Sequence, residues 1–254
     1  MGDYMFFMKK KPLVVNVYTF DKTIFDLYKP GLGTKFIPEG WKSLPKSYKD
    51  KVYQYHPTST MHIDVPTAKT CDGIISMYSK SIIIPAWTDV KVEQTSDGQL
   101  LSHSPSGMGI VEAHHRQQVW DELYPGYQQV KLISPWLFEV EDDVKFLWTR
   151  CDWHNTERYS NTEIMSGMLD FKYQNSSHIQ MFVKGSVDIL AGDPLVQMFP
   201  LTERPIELKY HLKTGEEYQQ ILGTKVLKYK GNYKHRKAIL QDKDKPKCPF
   251  GFGR

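Results

Sequence analysis

His62 and Asp64 stand two residues apart in Met61-His62-Ile63-Asp64-Val65-Pro66. On a strand, residues i and i+2 face the same side. An imidazole and a carboxylate at that spacing could therefore reach one divalent metal, as two members of a two-histidine, one-carboxylate set. His154, His178 and His211 are the candidate third ligands. The same pair also fits an exposed loop running into Pro66. His114 and His115 are adjacent and would point about 100° apart on a helix, so they do not chelate together. A basic run, Lys225, Lys228, Lys230, Lys234, His235, Arg236 and Lys237, is interleaved with Tyr229 and Tyr233. Cations with stacking rings suit single-stranded nucleic acid, but a solvated or subunit-contacting arm has the same composition and is the reading adopted. Cys71, Cys151 and Cys248 are far apart and odd in number, with no C-x-x-C. Neither a disulfide framework nor a cysteine zinc site is expected, and the setting is reducing.

The elements that must position such residues read mostly as strands. Gly167–Pro200 holds three apolar runs, Ile179–Val183, Val187–Leu190 and Leu195–Phe199, separated by Gly185 and by Gly192-Asp193-Pro194. Glycine supplies positive φ and proline fixes φ, so these are turns. Pro12–Phe20 predicts a strand. Pro30, Gly31, Gly33, Pro38, Gly40 and Pro45 predict an irregular arm up to about Pro66, able to wrap a neighbouring subunit. Gly73–Tyr78 reads as a strand or short helix, followed by strands at Ser81–Pro85 and Thr88–Glu93. Leu100–Gly109 is expected to be a strand leading into a loop, and Val111–Leu123 a helix ended by Pro125-Gly126. Alternating apolar residues either side of Glu141-Asp142-Asp143 predict a hairpin within Gln129–Trp153. Pro205–Leu212 is expected to be a strand, Gly215–Leu222 a short helix and Lys225–Tyr229 a strand. The whole predicts an all-β fold, an antiparallel sandwich or β-clip, with one or two short helices. Three regions follow: an arm over 1–66, a β core over 67–212 and a basic extension over 213–254.

Hydrophobic residues make up 40% of the chain and charged residues 24%, a composition that excludes wholesale disorder. The net charge of +4 is spread over 33 basic and 29 acidic residues, which does not by itself mark a nucleic-acid binder. No run reaches transmembrane length. The opening MGDYMFFMKKKP reverses the order of a signal peptide, and Phe6 stands where a myristoylation motif has Ser or Thr. The expected location is host cytoplasm or virion, neither secreted nor membrane-bound.

Gly167-Met168-Leu169-Asp170-Phe171-Lys172-Tyr173 resembles the G-[VI]-[IL]-D-x-x-Y motif of the dUTPase and dCTP-deaminase superfamily. Gly192-Asp193-Pro194-Leu195-Val196-Gln197-Met198 resembles that superfamily's G-D-x-[IL]-[AV]-Q-[LM] motif. The likeness runs over Gln129–Thr202. It implies that Asp170 orients an attacking water, Tyr173 packs beneath a deoxyribose, and Arg150, Gln197 and Gly192 lie by the phosphates. It implies Mg²⁺ if nucleotide hydrolysis is retained. Against this, Cys151 occupies the place of the phosphate-binding serine, and no early Asp motif is present to help hold Mg²⁺. Gly251-Phe252-Gly253 is similar to the family's glycine-rich tail without its following Ser or Thr. The whole chain is also similar to a group of phage and bacterial proteins of unknown function. The residues are Thr67-x-Lys69-x-Cys71, Ile84-Pro85-Ala86-Trp87-x-Asp89, Ile133-Ser134-Pro135-Trp136 and Gly192-Asp193-Pro194-Leu195.

A scaffold signature beside missing catalytic positions predicts a non-enzymatic phage-type protein on a dUTPase-like core. It would need no cofactor and act through assembly or partner binding, as a homo-oligomer or in a larger viral particle. One alternative is a Mg-dependent deoxynucleoside triphosphate pyrophosphohydrolase or nucleotide-binding relative. The other is an iron and 2-oxoglutarate oxygenase built on His62 and Asp64.

Overall fold

The computed structural model describes residues 10–53, 60–95, 100–105, 110–114, 123–154, 157–225 and 237–238. The chain begins with β1 (Leu13–Thr19), α1 (Lys22–Leu27) and β2 (Gly31–Leu32), which runs into a 3-10 turn at Gly33–Phe36. Next come α2 (Glu39–Ser43), β3 (Ser47–Tyr53), β4 (Thr60–Pro66), a 3-10 turn at Ala68–Thr70 and α3 (Asp72–Ser79). Then follow β5 (Ile82–Pro85), β6 (Val90–Gln94), β7 (Leu100–His103), β8 (Val111–Ala113), β9 (Gln128–Leu132) and β10 (Leu137–Glu139). The last stretch holds β11 (Phe146–Arg150), β12 (Thr162–Ile164), β13 (Gly167–Leu169), β14 (Ile179–Val183), β15 (Ser186–Ile189), β16 (Pro194–Pro200), β17 (Ile206–Leu212) and α4 (Gly215–Lys225).

The fold is all-β in several sheets, almost all antiparallel, with a few short helices. A five-stranded sheet has the order β13-β11-β16-β5-β2, and a four-stranded sheet the order β12-β14-β9-β8. Two three-stranded sheets, β10-β1-β17 and β15-β6-β7, complete the core, and β3 and β4 form a two-stranded sheet of their own. The alternation in β1 buries Leu13, Val15, Val17 and Thr19 on one face. β1 lies antiparallel to β10 and parallel to β17, so the first strand belongs to a core sheet. The inner face of β11, through Phe146 and Trp148, joins one continuous core that includes Trp136, Phe138, Phe171 and Ile179. Phe171 packs between Phe138 and Phe146, tilted to the first and edge-on to the second, at centroid distances of 5.2 and 5.0 Å.

A second, smaller layer covers part of the outer face of the five-stranded sheet. Ile74, Met77 and Tyr78, at helical i, i+3, i+4 spacing, turn one side of α3 onto Ile83 and Cys151. Gly33 makes this fit possible: a Cβ there would lie 2.5 Å from the Tyr78 carbonyl oxygen. Elsewhere on that face, among the described residues, large apolar side chains stay partly or largely exposed. Met168, Leu147 and Phe199 stand in register across β13, β11 and β16. Met168 is 50% exposed, Leu147 39%, and Phe199 is half-buried.

α4 begins with a reciprocal cap of T-x-x-E type, in which Thr214 N donates to Glu217 and Glu217 N donates to Thr214 Oγ1. Among the described residues no helix is long and apolar enough to cross a membrane.

Several expectations are corrected. The hairpin about Glu141-Asp142-Asp143 does not form: β10 pairs with β1, whereas β11 pairs with β13 and β16. Local alternation is the same in either pairing, and only the distant partner strands decide. The helix expected from Val111 starts instead as β8, paired with β9; residues 115–122 lie outside the described residues. Lys225 closes α4 rather than opening a strand, and 226–236 lie outside the described residues. The arm is less irregular than its glycines and prolines imply, since it holds β2, α2 and the β3–β4 hairpin. Of the two readings for Gly73–Tyr78, strand or short helix, the helix forms.

Candidate functional site

The motif residues separate into three places. Asp170 and Tyr173 do meet, because the chain leaves β13 at Leu169 and turns at once. Tyr173 N and Gln174 N both donate to the Asp170 carbonyl, each at 3.0 Å. The corner is closed. Asp170 and Tyr173 are both buried, with Lys237 Nζ 3.8 Å from the Asp170 carboxylate and 5.3 Å from the Tyr173 ring centroid. Arg150 lies elsewhere. Phe146 pairs with Leu169, so Arg150 sits four residues further along β11, roughly 13 Å at strand rise. Gln197 is on the opposite face of the five-stranded sheet. It is buried under α3, donating to the Met77 carbonyl at 3.1 Å and to Ser81 Oγ at 2.8 Å. Within one chain, therefore, Arg150 does not converge with Asp170 and Tyr173.

Arg150 instead lines a cavity of about 210 Å³ at one end of the core, and Gly192 stands outside that lining, two residues before the lining residue Pro194. The cavity walls come from the end of β11 and the start of β16 on one sheet, from β12 on the other, and from the connecting loop at Asp152, His154 and Tyr159. The Arg150 Nε donates to Asp152 Oδ1 at 3.0 Å, and Nη1 lies 3.4 Å from Glu163 Oε2. The Asp152 hydrogen bond holds the guanidinium above its ordinary range, against burial and with help from Glu163. Gly192 has φ +91° and turns Asp193 inward, where its carboxylate pairs with Arg158 and accepts from Tyr159 Oη at 2.9 Å. Burial raises the Tyr159 phenol far above its usual range, and the Asp193 charge adds to this. The His154 Nε2 lies 3.3 Å from Tyr78 Oη. Burial pushes the His154 imidazole down, with Asp193 opposing, and pushes the Cys151 thiol well up. Both are thus neutral groups.

Trp153, between the two lining residues Asp152 and His154, has φ +73° and is 51% exposed. An L side chain in that region costs about 1–2 kcal/mol, and such outliers gather where a loop is held for use. A second, more open groove of about 340 Å³ is lined by Trp148, Met165, Ser166, Gln174, Ser176, His178 and Gln180. Its lining neighbours that of the first in sequence: Trp148 is two residues from Arg150 on the same face of β11, and Met165 follows Ile164.

For the metal pair, His62 is on β4 opposite Lys51, with its side chain outside the described residues, and Asp64 is exposed. His154 is engaged with Tyr78, His178 Nδ1 accepts from Ser134 N at 3.2 Å, and His211 Nε2 lies 3.0 Å from Asn16 Oδ1. Among the described residues no group of three His, Cys, Asp or Glu is placed to hold a metal. Gly251-Phe252-Gly253 and Cys248 lie outside the described residues.

Asp152, Trp153, Tyr159 and Glu163 are the residues that sequence reasoning passes over, and it names His154 only as a candidate metal ligand and Asp193 only as part of a turn motif. The only signal was local: the dense polar run Arg150-Cys151-Asp152-Trp153-His154 directly after an apolar strand. Comparison with protein-family models and with curated proteins finds no match to this chain.

Proposed function

We propose that this is a non-enzymatic, phage-type β-rich protein that acts by assembly on a dUTPase-like core, its partner being a second copy of itself. The observation that carries the reading is the apolar stripe Met168–Leu147–Phe199 on the outer face of the five-stranded sheet, exposed or half-buried among the described residues. Continuous exposed apolar surface of this kind marks an interaction site. The same chain carries an element with the opposite deficit. β3 and β4 form a two-stranded sheet with no third strand among the described residues, and such a hairpin is marginal in water without a packing layer. Tyr48, 49% exposed, stands opposite Val65 and on the same face as half-buried Ile63. The hairpin of one copy would supply the cover that the stripe of another lacks, as in the subunit interfaces of homo-oligomers. The clip-type core is supported by β13 and β16, the two motif strands, flanking β11 in one sheet.

Analytical ultracentrifugation of the full chain tests this reading. An oligomer is expected, with the Leu147→Glu, Met168→Glu double variant sedimenting as a monomer of unchanged circular dichroism. A wild-type monomer at about 100 µM, or an oligomer indifferent to both substitutions, would overturn it. No pyrophosphate release is expected from any deoxynucleoside triphosphate with Mg²⁺; turnover abolished by Asp170→Asn would sink the non-enzymatic part. The hydrolase alternative would require Arg150 of one copy to reach Asp170 and Tyr173 of another.

A further inference from the structure

We propose that the cavity at the Arg150 end binds a neutral vicinal polyol, one pyranose ring, with Trp153 as the face on which the ring stacks. Three observations lead there. The first is the order of charges. Arg150 stands between two carboxylates, donating from Nε to Asp152 at 3.0 Å and from Nη1 towards Glu163 at 3.4 Å. The remaining charges of this end, Arg158 and Asp193, neutralise each other. A phosphate or carboxylate ligand would meet two anions for one cation and is disfavoured. A cationic ligand would have to approach the guanidinium itself. A pair of neighbouring hydroxyls fits, because each donates to a carboxylate oxygen and accepts from a guanidinium N–H. His154 and Cys151, held neutral by burial, add no charge to this balance.

The second observation is size. The cavity of about 210 Å³ falls below the ~300–1,000 Å³ that enclose drug-sized ligands. It has room for one sugar ring and too little for a nucleoside triphosphate. The third is Trp153. Trp153 does not itself line the cavity, but it stands between two lining residues in sequence, half-exposed and in a left-handed backbone conformation, and its indole is a flat apolar face with a polar tip. The C–H face of a pyranose is its natural complement. The second groove is lined by Trp148, Ser166, Gln174, Ser176, His178 and Gln180, with no carboxylate, lysine or arginine in its lining. A second and third sugar would continue into it, so an oligosaccharide binds more tightly than a single ring.

Saturation-transfer NMR and calorimetry on the full chain test the proposal with methyl glucoside, methyl galactoside, methyl mannoside and their trisaccharides. Glucose 6-phosphate and spermidine serve as the anionic and cationic arms. At least one neutral glycoside should bind at or below about 10 mM, and its trisaccharide at least about tenfold tighter. Trp153→Ala and Glu163→Gln should each weaken binding by about tenfold or more, and Trp153→Phe should restore most of it. A glycoside bound no better as its trisaccharide would locate the site on single rings and overturn the continuation into the groove. No neutral glycoside bound at about 10 mM overturns the proposal outright. So does tighter binding of glucose 6-phosphate or spermidine, or binding indifferent to Trp153→Ala. The Leu147→Glu, Met168→Glu variant should bind the sugar unchanged, which separates this inference from the assembly reading.

Discussion

Gly192 turns the chain at φ +91°, and the nearest atom to an added Cβ is Tyr28 Cε1 at 4.0 Å. A methyl group therefore finds space there but not an allowed backbone. Gly192→Ala should cost about 1–2 kcal/mol, all of it conformational, and lower the melting temperature in calorimetry without changing the oligomer. Five residues on, Gln197 is a different case. Its amide ties β16 to α3 through the Met77 carbonyl and Ser81. Gln197→Leu strands both partners in a buried layer and should cost about 1–3 kcal/mol. That loss, read by urea denaturation, should leave sugar binding unchanged, because Gln197 faces away from the cavity. The turn was legible in the sequence because Gly-Asp-Pro acts within a few bonds. The role of Gln197 was not, since the resemblance put it beside phosphates and only the α3 layer shows what it serves.

His178, on the connection into β14, accepts from Ser134 N through Nδ1 and so fixes the loop between β9 and β10. Burial, with the Lys131 charge, lowers its affinity for a proton, and Glu112 opposes. His154 and His211 are lowered too, chiefly by burial. For all three the unfolded chain takes up protons at higher pH than the folded one. Stability is then full above about pH 6.5 and falls as the pH drops towards the folded values. His178→Asn keeps an acceptor and removes a titrating group. It should flatten the dependence of melting temperature on pH between about 7 and 5 relative to wild type; an unchanged slope would show that His178 is not part of it. At the same level the individual strands were largely legible. β1, β14, β15, β16 and β17 fall within a residue or two of their apolar runs, because alternation is a local property. Their pairing was not: β14, β15 and β16 follow one another in sequence yet lie in three different sheets.

The parallel pairing of β1 with β17, seven residues in register, joins the first described strand to the last. Contacts of such sequence separation carry a high closure entropy, so folding should be slow for the chain's size. Val15 is fully buried in the middle of β1, opposite Leu208. Val15→Asp places an unpaired carboxylate in the core and should abolish cooperative unfolding, seen as loss of the calorimetric transition; a variant that still melts like wild type would mean β1 is peripheral. The sequence by itself determined the all-β class, the turn glycines and most strand positions, since composition and period-2 patterning act over short distances. Only the tertiary structure decided the rest. It closed Asp170 and Tyr173 beneath Lys237, sent Gln197 to the outer face, and brought Arg150, Asp152 and Glu163 to one cavity. The reason is physical: which face a residue presents, and what it meets there, depends on strand partners far away in the chain.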